Sequence, residues 1–165
     1  MSDAVPALRT PTDLAANEVW TLDHALNRVL ADCFALYLKT KNYHWHISGP
    51  HFRDYHLMLD EQAAELFALT AVIAERMRKT GNTTLRSIGD VARFQEIRDD
   101  DRDFVAPLDM LTELRDDNLH LVERFRAIKA KADEARDNAT SGMVDAWTDE
   151  AERRAWFLFE TTRRS

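Results

Sequence analysis

Residues that interrupt regular backbone are scarce in this chain: glycine and proline occur four times each in 165 residues. Glycine supplies the positive φ of tight turns and proline breaks helices and strands, so their scarcity favours long uninterrupted helices over a many-turned β fold. Cysteine is rarer still. The single Cys33 excludes an intrachain disulfide, and on the apolar periodicity of the first helical stretch it reads as a small core residue rather than a nucleophile. No apolar run approaches the roughly 20 residues needed to span a bilayer and the first residues do not resemble a signal peptide, so a cytoplasmic protein without a membrane partner is expected. Basic charge is in deficit too, with 22 Lys and Arg against 29 Asp and Glu, a formal net charge of −7. Such a surface repels a phosphate backbone unless a local basic arm compensates. The N-terminal stretch has Arg9 but no lysine and the C-terminus only Arg163 and Arg164, so DNA binding is expected to be weak or absent.

What is abundant is helical periodicity. Residues 1–14, with Pro6 and Pro11 and little apolar pattern, are expected as a mobile arm, and 15–165 as one all-α domain. A first helix from about Asn17 to His46 carries Leu22, Leu26, Val29, Cys33 and Tyr37 inward. Gly49-Pro50 breaks it, and a second helix runs to about Gly81. Residues 82–106 are too long for a tight turn, and Leu85, Ile88, Val91 and Phe94 mark a short helix inside that connection. Asp99, Asp100, Asp101 and Asp103 then read as a solvated loop. Pro107 opens a third helix with Leu111, Leu114, Asn118, Leu121, Phe125 and Ile128 inward, and Ser141 is the expected cap of a fourth carrying Val144, Trp147, Ala151, Ala155 and Leu158. A long crossover between helices two and three is what a ferritin-like four-helix bundle needs. The fourth helix ends in Trp156-Phe157-Leu158-Phe159, apolar on every side, so an isolated bundle would leave part of it exposed.

The stretch from Asn42 to Arg76 carries the chemistry. His56, Asp60, Ala64, Phe67, Ala71 and Glu75 fall within roughly 100° of one another on the second helix, while Leu59, Ala63, Leu66, Thr70, Ile73 and Met77 form the opposing, core-facing stripe. Any single histidine is more often a hydrogen-bonded structural residue, and Glu75 has a surface partner in Lys79 at i,i+4. What singles out His44, His56, Asp60 and Glu75 is their joint placement, two imidazoles and two carboxylates, a mix that suits ferrous iron better than a structural zinc. His46 and His51 lie off the stripe. His56 and Glu75 are separated by roughly 28 Å at about 1.5 Å per residue, so one metal reaches both only if a second copy of the helix lies antiparallel, giving two sites shared across a two-fold dimer.

These residues closely resemble the Dps family of mini-ferritins, DNA-binding proteins from starved cells. Its signature matches here as His44-Trp45, Gly49-Pro50-His51-Phe52, His56 and Glu75-Arg76, and the likeness extends from about Trp20 to Glu160. The resemblance implies a ferritin-like bundle, a hollow homododecamer, oxidation of Fe(II) with hydrogen peroxide at sites shared across a two-fold interface, and storage of ferric mineral inside. One position departs from the pattern: the family's Asp four residues before the Glu is Ala71, and a methyl group cannot bind iron. Asp60 matches a further acidic position, leaving His44, His56, Asp60 and Glu75 as metal ligands and weaker ferrous binding as the expectation. Tryptophans matching Trp45 and Trp147 lie near the iron in the family and supply electrons. Asp133, Glu134 and Asp137 are candidates for an acidic iron-entry pore, with an ordinary solvated surface the stronger competitor. Two alternatives remain: a shell whose oxidation centre Ala71 has impaired, and a nucleoid protein that protects DNA by covering it, which the charge disfavours.

Overall fold

A computed structural model describes residues 5–163; residues 1–4, Arg164 and Ser165 lie outside the described part, and with them the start of the expected arm and half of the C-terminal arginine pair. A short 3-10 turn, Pro6–Leu8, precedes five α-helices: α1 Ala16–His46, α2 Phe52–Lys79, α3 Ile88–Phe94, α4 Pro107–Glu134 and α5 Asn138–Thr162. No strand occurs among the described residues. The helices whose period was legible in the sequence form as expected. The stripe Leu59, Ala63, Leu66, Thr70, Ile73 and Met77 is buried on α2, and Leu111, Leu114, Asn118, Leu121, Phe125 and Ile128 are buried on α4.

α1 packs on α2 and α4 on α5, two hairpins that close into one bundle through α1 against α4 and α2 against α5. Side-chain bonds fix the directions. Gln62 donates to the Arg154 carbonyl and Arg76 to Thr140, so α2 and α5 are antiparallel. Lys39 pairs with Asp117 and Arg28 with the loop beside Arg124, so α1 and α4 are antiparallel as well. It follows that α2 and α4 run parallel. The chain must therefore travel the length of the bundle between them, which is why the connection over residues 80–106 is long. It is pinned to α1 at two levels: Asp32 Oδ1 accepts from the Glu96 and Ile97 amides at 2.6 and 2.8 Å, and Asn42 donates to the Asp100 carbonyl at 3.1 Å.

Several local expectations are corrected. Asp137, not Ser141, caps α5, accepting from the Thr140 amide at 3.0 Å after a turn in which Arg136 takes a positive φ of 55°. Asp137 is also buried and ion-paired to Arg76 at 2.7 Å, which removes it from any pore lining. Asp100 is not solvated: its side chain is buried between Arg102 and the Tyr43 hydroxyl. In the short helix Val91 is buried, but Ile88 points out at 79% exposure. Pro50 lies before α2, whose cap residue is His51. The N-terminal segment rests on the end of α2, where Arg78 donates to the Leu8 carbonyl at 2.7 Å.

The bundle leaves an apolar face open. Along α2 the outward stripe of Asp60, Ala64, Phe67, Ala71 and Glu75 is exposed, joined by Leu57 and Val72, and at the end of α5 Trp156, Phe157 and Phe159 are exposed while Leu158 is buried.

Candidate metal centre

The turn at Gly49, with φ of 109°, folds α2 back along α1 so that the last turn of one helix meets the first turns of the other. Two histidines meet there. His44 and His56 stack with ring centroids 3.7 Å apart and planes 19° from parallel. Their hydrogen bonds cross: His44 Nδ1 lies 2.7 Å from the His56 carbonyl oxygen, and His56 Nδ1 lies 2.8 Å from the His44 carbonyl oxygen. A carbonyl oxygen can only accept, so each Nδ1 carries a proton and donates. With Nδ1 committed to donating, Nε2 is the atom left to each ring for a ligand, the orientation a metal-binding histidine needs. His44 is 8% exposed and His56 half-buried, with Phe52 against its ring at 4.9 Å.

One turn further along α2, Asp60 Oδ1 lies 3.9 Å from His44 Nε2. The same oxygen accepts from Lys41 Nζ at 2.7 Å, and this bond holds the Asp60 carboxyl below its usual range. Lys41 was not among the residues the sequence singled out. Its position three before His44 puts it on the same face of α1, which is the spacing that would have revealed it. The lysine stands where a cation would otherwise face the carboxylate.

The structure brings His44, His56 and Asp60 together and leaves Glu75 apart, exposed near the far end of α2 on the same stripe. Ala71 is exposed one turn before it. Trp45 follows His44 on the surface, 58% exposed, with Lys41 Nζ 5.8 Å from its ring centre. Trp147 is buried, its ring 5.9 Å from Phe125. The contacts Gln62 to Arg154 and Arg76 to Thr140 set Trp147 beside Leu69 and Thr70, roughly 20 Å along the axis from His56 at about 1.5 Å per residue. His46 bonds back to Asn42 at 2.8 Å, and His51 lies 5.6 Å from Tyr55, so neither joins the pair.

The matching family model is that of the ferritin-like domain, over residues 24–164. Among curated relatives, DNA protection during starvation protein 1 of Deinococcus radiodurans is 32% identical over 145 residues, 88% of this chain and 70% of that one. A DNA protection during starvation protein of Agrobacterium fabrum is 30% identical over 91% of this chain and 93% of its own length. Among solved structures, the Dps protein of Vibrio cholerae, described as a member of the ferritin-like diiron-carboxylate superfamily, superposes with a TM-score of 0.87 at 25% identity, covering 94% of this chain and 98% of that one. The bundle, its long crossover and relatives aligned along nearly its whole length agree: the chain belongs to the Dps family of ferritin-like proteins.

Proposed function

We propose that this protein is a mini-ferritin that takes Fe(II) as substrate, oxidises it with hydrogen peroxide at sites shared between two chains, and keeps the ferric product inside a homododecameric shell. The observation that carries this reading is the crossed hydrogen bonding of His44 and His56, which engages both Nδ1 atoms and leaves each Nε2 for a ligand, with Asp60 Oδ1 3.9 Å from that of His44.

The remaining ligands come from a second copy. If two α2 helices pack antiparallel with His56 opposite the partner subunit's Glu75, the same register sets Asp60 opposite Ala71 and Ala64 opposite Phe67. The exposed small and apolar residues of the stripe supply that contact. His44, His56 and Asp60 of one chain then hold iron with one carboxylate from the partner, one fewer than the family pattern provides. Two Fe(II) ions give one electron each to one peroxide, whose O–O bond breaks and which takes up two protons to leave as two waters. Because both electrons come from bound iron, no hydroxyl radical is released. Trp45, next to His44, is an accessible reserve electron donor. Trp147 lies at the level of Leu69, which this pairing brings near the partner's site rather than its own. The relatives' name of DNA protection carries over as removal of iron and peroxide rather than as coverage of DNA, since the chain carries a net charge of −7.

Ala71 favours one further reading, a shell that assembles but oxidises iron poorly. Stopped-flow absorbance with peroxide separates the two. Oxidation well above the protein-free rate in the natural chain, lost in His44→Ala/His56→Ala and raised in Ala71→Asp, is expected. Oxidation at the protein-free rate, recovered only in Ala71→Asp, would mean a passive shell, and activity that survives loss of both histidines would overturn the site itself.

A further inference from the structure

Away from the histidine pair, three potential ligands from three separate segments converge. Asp32 of α1, Glu96 of the crossover and His120 of α4 each offer one donor atom, and these atoms lie within 4.8 Å of one another. Asp32 is fully buried. Its Oδ1 is committed to the Glu96 and Ile97 amides, but Oδ2, equally buried, has no hydrogen-bond partner. A buried carboxylate oxygen left without a partner is unfavourable unless something occupies the place beside it. Burial correspondingly pushes the Asp32 carboxyl up, with the two amide bonds acting against it.

The spacing discriminates between an ion pair and a ligand set. His120 Nε2 lies 3.5 Å from Asp32 Oδ2 and 3.7 Å from Glu96 Oε2. Charge-assisted hydrogen bonds are shorter, about 2.7–2.9 Å. Donor atoms on a tetrahedral ion with bonds of about 2.1 Å stand about 3.4 Å apart, close to both observed separations. The geometry points to a second metal site, in which Asp32 Oδ2, Glu96 Oε2 and His120 Nε2 hold a divalent transition-metal ion. One imidazole and two carboxylates suit zinc or ferrous ion and leave a coordination position open to water.

The surrounding charge has to be faced. Burial alone would push the Glu96 carboxyl up, but Arg28 and Arg124 both pair with it and outweigh that effect, leaving it below the usual range, so the two guanidinium charges offset the two carboxylates. The attraction for a cation comes from the groove that opens beside the cluster, between α1, α4 and the crossover, where seven carboxylates including Glu96 face three basic side chains. Arg124 also donates from Nε to His120 Nε2 at 3.4 Å, so an ion has to displace it from both ligand atoms; at 45% side-chain exposure it can swing to solvent, giving up a surface ion pair and one long hydrogen bond. The site is separate from the histidine pair: Asp32 and His44 are twelve residues apart on α1, roughly 18 Å along the axis and about 120° around it.

The test is Zn2+ titration by calorimetry on the full chain, with zinc-edge anomalous diffraction from crystals of the same protein. Two classes of site are expected. His120→Gln should weaken one class at least about tenfold, the loss an outer-shell partner alone can cause, and Glu96→Gln should affect the same class. His44→Ala/His56→Ala should remove only the other. Thermal melts of the metal-free variants identify any that fails to fold, and the anomalous map of the natural chain decides the question without them. A peak bounded by Asp32, Glu96 and His120 is expected. No peak there, or zinc binding unchanged by both His120→Gln and Glu96→Gln, would make the cluster an ion-pair network only.

Discussion

Lys41 would compete with a metal ion for Asp60, and removing its charge should strengthen metal binding by an amount the structure allows to be worked out. Its ammonium lies 2.7 Å from Asp60 Oδ1. A metal bound to that oxygen at about 2.1 Å would sit about 4.5 Å from the ammonium. Asp60 is 57% exposed at its side chain, so the dielectric of water is the conservative choice. A single positive charge then repels a doubly charged ion by about 1.8 kcal/mol, a factor of about twenty in affinity. Lys41→Met keeps the aliphatic stem against α2 and deletes the charge. The lost ion pair costs about 0–1 kcal/mol in stability, since it is surface-exposed. Zn2+ affinity of the His44/His56 class, measured by calorimetry at low and high salt, should rise about ten- to twentyfold and the gain should shrink as salt increases. Unchanged or weaker binding at low salt would refute the reasoning, because it would mean that the ammonium helps hold the site rather than competing with the ion.

Burial pushes the Asp23 carboxyl up to about 7 from its ordinary value near 3.8, so the folded chain holds a proton there that the unfolded chain has released, and stability falls as pH rises across that window. Asp23→Asn should raise stability above pH 7 by up to about 4 kcal/mol, from about 1.4 kcal/mol per pH unit, and flatten denaturation midpoints between pH 4 and 7; an unaltered pH profile would refute this. Gly81 has φ of 93°, and a Cβ there would stand 2.9 Å from the Thr10 carbonyl oxygen, so Gly81→Ala should cost about 1–3 kcal/mol and lower the melting temperature by several degrees. A melt within one degree of the natural chain would show that the N-terminal segment yields freely. Asp137→Ala removes the α5 cap and leaves the Arg76 guanidinium, 14% exposed, without its partner, for a loss of about 2–4 kcal/mol; Arg76→Met in the same chain should restore part of it in thermal melts.

The bundle was legible because period and punctuation agreed. Four-three spacing of apolar residues placed the inward faces of α2 and α4, and Gly49-Pro50, Gly81 and Pro107 marked breaks within a few residues of the observed helix ends. What escaped was polar structure that depends on distant partners. Arg154 lies on the core-facing stripe of α5 with its side chain fully buried, donating to Asn118 at 2.8 Å and paired with Glu65 at 3.4 Å. Periodicity alone assigns an arginine to the surface, yet the inward Asn118 was the visible half of this pair. Asp100 was lost among its acidic neighbours in the same way. Its burial depends on Tyr43 and Arg102, and no local pattern distinguishes it from Asp99 or Asp101.

The candidate metal centre divides along the same line. His44 and His56 were legible because a hairpin brings residues flanking a tight turn together whatever the rest of the chain does, and their crossed bonds use only each other's backbone. Lys41 was one helical turn from a recognised residue and could have been read by the same spacing. The Asp32, Glu96 and His120 cluster could not, since Glu96 reaches it only after the crossover has traversed the bundle and been pinned by Asp32 itself. The half-site held within one chain is also nearly neutral, because Lys41 offsets Asp60. In the proposed pairing the net negative charge that attracts iron must therefore come from the partner subunit's Glu75, with Ala71 adding none. On that proposal the attraction that would complete the centre is a property of two chains, and a single sequence discloses it only through the exposed stripe on α2 where the second chain would lie.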